Sequence, residues 1–123
     1  MPKRVLDVGQ CGPDHVAICN YLSRHFDCQI ESADATHDAL AKLKASKFDL
    51  VLVNRKLDID YSDGIDVIRA LKADPETAGV PVMLVTNYPQ HQELAITAGA
   101  IRGFGKLAFG NPETRDKLAT VLG

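Results

Sequence analysis

The chain has no tryptophan and only three Tyr and four Phe among its 123 residues, so aliphatic side chains must supply most of a core. It also lacks an excess of either charge: 14 Lys and Arg stand against 16 Asp and Glu, a formal net charge of −2. That balance leaves no basic footprint for nucleic acid and no polybasic surface for a membrane. No apolar run approaches the ~20 residues that span a bilayer. Met1-Pro2-Lys3-Arg4 leads straight into a strand-like run, without the apolar segment of a signal peptide. A cytoplasmic location is the expectation. Cysteines are few and odd in number (Cys11, Cys19 and Cys28), which gives no disulfide framework and suits reduced thiols. His15, His25, His37 and His91 have no metal-ligand spacing and default to surface or capping roles. Repeats, linkers and low-complexity tracts are missing as well, so residues 1–123 read as one domain.

What remains is a regular alternation of short apolar runs with amphipathic stretches. Residues 5–8 read as a first strand, and residues 14–26 as a helix placing Ile18, Leu22 and Phe26 on one face. A weaker strand at 28–31 precedes a helix at 36–45. Residues 49–53 form the clearest strand, a buried-type run suited to the centre of a parallel sheet. A helix at 64–72 carries Ile65, Ile68 and Leu71 at helical spacing. A fourth strand at 80–85 opens near Pro81, a helix at 90–98 stops at Gly99, and residues 101–106 form a fifth strand. Asn111 caps the last helix, with Pro112 in its first turn. Five β/α units imply an α/β, doubly wound, five-stranded parallel sheet with helices on both faces. Its functional crevice lies beyond the carboxyl ends of the strands. The residues expected there are Gly9, Gln10, Glu31, Asn54, Thr86 and Lys106.

Four segments carry a resemblance. They are Phe48-Asp49-Leu50-Val51-Leu52-Val53-Asn54, Asp63-Gly64-Ile65-Asp66-Val67-Ile68-Arg69, Val80-Pro81-Val82-Met83-Leu84-Val85-Thr86, and Ala98-Gly99-Ala100 followed six residues later by Lys106. In this order and at nearly this spacing they resemble the receiver domains of two-component response regulators, across essentially the whole chain. The resemblance implies a (βα)5 flavodoxin/CheY-like fold with strand order 2-1-3-4-5. It also implies a chemistry: an acidic pair after the first strand holding a divalent cation, an aspartate after the third strand attacking phosphorus, and a hydroxyl and a lysine binding the phosphoryl oxygens. Here the acidic-pair positions are Gly9 and Gln10, and the acceptor position is Asn54, whose amide cannot form an acyl phosphate. Thr86 and Lys106 are retained.

Other departures accompany these. The aromatic switch position, three before Lys106, is Gly103, with Phe104 alternating to the opposite face. Leu107 replaces the proline that follows the lysine. The segment between Asn54 and Gly64 is about two residues longer than the family's usual loop. The expectation is a degenerate, phosphorylation-independent receiver that binds a protein partner, needs no cofactor or metal, and is not an enzyme. By resemblance the interaction face comprises the fourth helix, fifth strand and fifth helix, including Tyr88, His91, Leu94, Phe104 and Arg115, with a dent expected at Gly103.

Alternatives stand beside this reading. The vacated pocket between Gly9, Asn54, Thr86 and Lys106 suits a small anion, while Lys106 hydrogen-bonded to Asn54 and nearby carbonyls explains the same residues equally well. Residues 4–13 also look like the Gly-rich first motif of S-adenosylmethionine-dependent methyltransferases, although a tight turn explains those glycines too. Asp7, in the middle of a strand, either reaches Lys106 or a cation, or is buried against a local partner. Asp58, Asp60 and Asp63 read as a solvated loop with Asp63 as helix cap. Cys11 is the one cysteine with a plausible exposed, sensing role.

Overall fold

The computed structural model describes residues 2–123. Five parallel strands form one sheet in the order β2-β1-β3-β4-β5. They are β1 (Lys3–Val8), β2 (Cys28–Ala33), β3 (Leu50–Asn54), β4 (Val82–Val85) and β5 (Ile101–Phe104). The helices are α1 (Gly12–His25), α2 (Thr36–Ala45), α3 (Gly64–Ala73), α4 (Pro89–Thr97) and α5 (Pro112–Leu122), with a single 3₁₀ turn at Lys106–Ala108. The fold is therefore the α/β doubly wound, CheY-like arrangement expected. Several ends differ from the pattern reading. Strand β2 continues to Ala33, so Glu31 sits within the strand, paired with the Arg4 side chain, and not at the crevice. Strand β4 begins at Val82, and β5 stops at Phe104, leaving Lys106 in the 3₁₀ turn.

Strand alternation splits the core into two layers. Leu6, Val8, Val51, Val53, Val82 and Leu84 pack on one face with Ala39, Leu43, Ile65, Ile68, Leu71 and Ala95. Val5, Leu50, Leu52, Met83, Val85 and Phe104 pack on the other with Ile18, Leu22, Leu118 and Leu122. Helix starts are set by side-chain caps where the sequence offers them. Asp63 accepts from the Ile65 amide at 2.9 Å and Asn111 from the Glu113 amide at 3.0 Å, each satisfying an amide that has no intrahelical partner.

Candidate functional site

Asn54, the last residue of β3, sits at the carboxyl edge of the sheet with its side chain fully engaged. Its Nδ2 donates to the Lys56 carbonyl at 2.7 Å and the Gly9 carbonyl at 3.3 Å. Its Oδ1 accepts from the Arg55 amide at 3.1 Å and from Lys106 Nζ at 3.3 Å. Lys106 has a second, shorter contact, donating to Asp14 Oδ2 at 2.7 Å. Asp14 lies in the first turn of α1, and the Lys106 hydrogen bond holds its carboxyl below the usual carboxylate range, with Cys11 assisting. The lysine thus meets the amide oxygen of Asn54, as expected, and the Asp14 carboxylate in place of neighbouring carbonyls.

The turn after β1 is closed from above. Gly9 has φ 79°, and a Cβ there would collide with the Leu57 side chain and lie 3.2 Å from Leu57 Cα. Leu57 is buried. The loop that carries it is hooked in place by Asp58 N to Gly9 O at 2.9 Å, Leu57 N to Ser62 O at 2.9 Å and Tyr61 N to Leu57 O at 2.7 Å. Tyr61 takes a left-handed backbone, φ 58°, at the outer bend. The long loop between Asn54 and Gly64 is therefore folded back over Gly9. Its acids do not converge: Asp63 caps α3, Asp60 accepts from the Ser62 amide at 2.9 Å, and Asp58 is exposed.

Gln10 turns inward. Neither of its amide atoms has a protein hydrogen-bond partner although both are buried, and the same holds for Asp7 Oδ1. Alternation places Asp7 on the α1 side of the sheet with Val5, and its Oδ2 meets His15 Nδ1 at 2.6 Å. Burial raises the Asp7 pKa to about 6, outweighing the opposing pull of His15, Gln10 and Lys106. Asp7 is thus locally paired, through a histidine that the sequence pattern left in a default surface role.

Thr86 follows β4 and is buried. Its Oγ1 accepts from the Tyr88 amide at 3.3 Å and lies 3.4 Å from His91 Nδ1, while Arg55 Nε donates to His91 Nε2 at 3.1 Å. The retained hydroxyl and the retained lysine are thus held by separate sets of partners. Between them and α4 lies a residue the sequence reading missed. Gln92, buried on α4, donates to the Leu84 carbonyl at 2.9 Å and the Thr86 carbonyl at 3.4 Å, and its Oε1 accepts from the Gly103 amide at 2.9 Å. The β4–β5 register shifts between Met83 and Val85, an irregularity of the kind that leaves ladder groups unpaired. Gln92 satisfies them.

Gly103 does not leave the expected dent. A Cβ there would collide with the Leu84 carbonyl oxygen and stand 3.1 Å from Met83 Cβ, so no side chain fits on this backbone. Phe104, assigned above to an interaction face, is 3% exposed and belongs to the core between the sheet and α1/α5. Arg115 also departs from that face, lying beside Tyr21 and Phe109 in the cleft between α1 and α5. Tyr88 and Leu94 are exposed as expected, at 59% and 54%, and are joined by Ile101 and Leu107. His91 is half-buried and committed to Thr86 and Arg55. The groove on this side, about 480 Å³, is lined by Pro89, Gln92, Gly103, Leu107, Asn111 and Lys117 among others.

The family model of the response regulator receiver domain matches residues 13–107. The chain belongs to the response regulator receiver domain family. Solved receiver structures share its fold at low identity. Chemotaxis protein CheY4 of Vibrio cholerae is 22% identical, with a TM-score of 0.80 over 99% of this chain and 100% of that one. A putative response regulator from Chloroflexus aurantiacus J-10-fl is 16% identical, with a TM-score of 0.83 over 98% of both chains. The receiver domain of sensor histidine kinase PA1611 from Pseudomonas aeruginosa PAO1, solved with a magnesium ion coordinated in its active-site cleft, is 17% identical, with a TM-score of 0.73 over 98% of this chain and 94% of that one. This chain is a receiver domain of two-component signalling, a class that works through protein partners. The Gly-rich turn that resembled a methyltransferase motif is accounted for by receiver geometry: Gly9 supplies a left-handed backbone and Gly12 opens α1. All three cysteines are free thiols, and Cys11, the one given a plausible exposed role, is half-buried at the N-cap of α1. Among the described residues no helix is long and apolar enough to cross a membrane.

Proposed function

We propose that this receiver signals without phosphorylation, as a protein-binding module in the cytoplasm. The observation that carries the reading is the hydrogen-bonding of Asn54. Both amide hydrogens point at carbonyl oxygens, of Lys56 and Gly9, and the amide oxygen receives Lys106. A nucleophilic carboxylate at that position would face two acceptors where the amide now donates. The surroundings are built for a carboxamide, whose nitrogen lone pair is delocalised and cannot attack phosphorus.

The metal that the family implies does not fit these residues. Gly9 has no ligand and lies beneath Leu57, the Gln10 amide is turned inward beside Asp7, and the Lys106 ammonium rests on Asn54 Oδ1. Among the described residues no three His, Cys, Asp or Glu side chains are grouped to hold an ion. The anion-sensing alternative is less well supported, because Asp14 already neutralises Lys106 at 2.7 Å. For the partner surface we favour the α4–β5–α5 side, where Tyr88, Leu94, Ile101 and Leu107 expose apolar area and Leu107 also lines the groove. Incubation with Mg²⁺ and a small phosphodonor, followed by intact-mass measurement, tests the first half of the proposal. We expect unmodified protein; an aspartyl-phosphate adduct overturns it. Charge substitutions at Leu94 and Leu107 test the second half, and unaltered signalling in the cell would remove that surface from consideration.

A further inference from the structure

Helix α1 carries a second set of chemically active side chains, separate from Asn54, Thr86 and Lys106. His15 and Cys19 are four residues apart and share one face of the helix. That face meets Asp7 in β1. Asp7 Oδ2 is 2.6 Å from His15 Nδ1, and His15 Nε2 is 3.4 Å from Cys19 Sγ. Carboxylate, imidazole and thiol therefore stand in line, each in contact with the next. The Asp7 side chain is fully buried in a strand flanked by β2 and β3, whereas 27% of the His15 side chain is exposed and Cys19 is half-buried. An Nδ1–H donated to Asp7 fixes the tautomer and directs the Nε2 lone pair at the thiol. This is the relation of orienter, base and nucleophile that activates a thiol.

We propose that Cys19 is an oxidation site for small hydroperoxides, with His15 as its base and Asp7 as the residue that positions that base and stabilises it once protonated. In the step, the thiol proton passes to His15 Nε2 while sulfur attacks the terminal peroxide oxygen. A sulfur–oxygen bond forms and the oxygen–oxygen bond breaks. The departing alkoxide or hydroxide takes the proton back from His15 and leaves as alcohol or water. Cysteine is oxidised by two electrons to the sulfenic acid, and the peroxide is reduced by the same two. Asp14 is the residue before His15 and binds Lys106, so α1 connects the oxidised thiol to the crevice. A receiver without phosphate chemistry would thereby keep a chemical input.

The surroundings give this site its own pH signature. Burial and the nearby Asp7 charge raise the Cys19 thiol above its usual value, so the unaided thiolate is scarce at neutral pH. The ionisable groups facing the relay are Asp7 from β1, His15 and Asp14 from α1, Lys106 from the 3₁₀ turn and Cys28 from β2, with the Gln10 amide alongside. Base assistance requires Asp7 ionised, so Cys19 reactivity should climb as pH rises through about 6, well below the thiol's own titration.

The test treats the full chain with hydrogen peroxide in the presence of a sulfenic-acid-trapping dione, and follows labelling at Cys11, Cys19 and Cys28 by peptide mass spectrometry. At pH 7 we expect Cys19 to label ~10-fold or more faster than Cys28, in keeping with general-base assistance. His15→Gln should remove that advantage while leaving Cys28 unchanged, and the wild-type and variant rates should converge in alkaline solution once the thiol, raised by burial, ionises unaided. Labelling of Cys19 no faster than Cys28 in the unaltered protein overturns the proposal and needs no variant. So does a wild-type profile that rises only with thiol ionisation, which is what a merely structural His15 would give.

Discussion

Gly9→Asp restores one carboxylate to the acidic pair by sequence, and the structure argues that it cannot be accommodated. The backbone at Gly9 has φ 79°, a conformation costing an L-residue about 1–2 kcal/mol. The new Cβ would also be driven into Leu57, a buried side chain anchored by its own backbone hydrogen bonds. Overpacking of this kind costs about 1–3 kcal/mol. The sum, about 2–5 kcal/mol, is a large share of the ~5–15 kcal/mol that holds a domain folded. For a chain of this size it would lower the melting temperature by roughly 6–20 °C. Urea and thermal unfolding of Gly9→Asp beside Gly9→Ala separates charge from sterics, since both add the same Cβ. Leu57→Ala should cost about 2–5 kcal/mol alone, and combined with Gly9→Ala it should recover the overpacking portion, leaving the backbone cost. Gly9→Asp unfolding within about 0.5 kcal/mol of the parent would refute the reasoning, because Leu57 and the turn would then yield freely.

Three further outcomes follow from the same geometry. Asn54→Asp should destabilise by about 1–3 kcal/mol, because carboxylate oxygens would face the Lys56 and Gly9 carbonyls; urea unfolding at neutral pH measures it, and a gain in stability would contradict the assignment. Gln92→Leu should cost about 2–4 kcal/mol by leaving the Gly103 amide and the Leu84 and Thr86 carbonyls without their partner, and hydrogen exchange at the Gly103 amide should accelerate; unchanged exchange there would show that Gln92 is not the bridge. Asp7 is held at about 6, above its ordinary 3.8, so the folded chain keeps a proton that the unfolded chain releases between those values. Its contribution to stability is full below the unfolded pKa and falls as pH rises through about 6, by on the order of 2–3 kcal/mol. Asp7→Asn should remove that fall, flattening the urea midpoint between about pH 4 and 7, and parallel slopes for parent and variant would sink the idea.

The fold was readable because hydrophobic periodicity is a property of the sequence itself. The run at Leu50-Val51-Leu52-Val53 suits a strand buried on both faces, and it is the central β3. Strand ends were harder, because hydrogen bonds set them and apolarity does not: Lys106 lies beyond the β4–β5 ladder, and Glu31 lies inside the β1–β2 ladder. At the site, Asn54 and Lys106 could be located from position alone. Asp14 could not, since its partner is 92 residues away. His15 carried a signal that was available: a carboxylate at Asp7 in an apolar strand requires a buried partner, and the start of α1 is what packs over that strand. The β4–β5 register shift left no trace in composition. It is why Gly103 is a close-packed backbone position, plugged by Gln92, and not a missing side chain.

Charge balance explains why these changes belong together. Lys106 brings a cation to the crevice, and with Gly9, Gln10 and Asn54 all uncharged its counter-anion must come from elsewhere. Two carboxylates lie within reach. Asp7 is drawn toward His15, whereas Asp14, at the head of α1, takes the ammonium. The Lys106 charge is then matched, while the Gln10 amide and Asp7 Oδ1 stay buried without a protein hydrogen-bond partner. Adding one carboxylate leaves an uncompensated anion near Asp14, and adding a dication sets it against Lys106; in a partly buried site either change is costly. Placing carboxylates at Gly9 and Asn54 therefore calls for coordinated changes that include Leu57 and Asp14, because Gly9→Asp alone meets Leu57 and Asn54→Asp alone meets the Lys56 and Gly9 carbonyls.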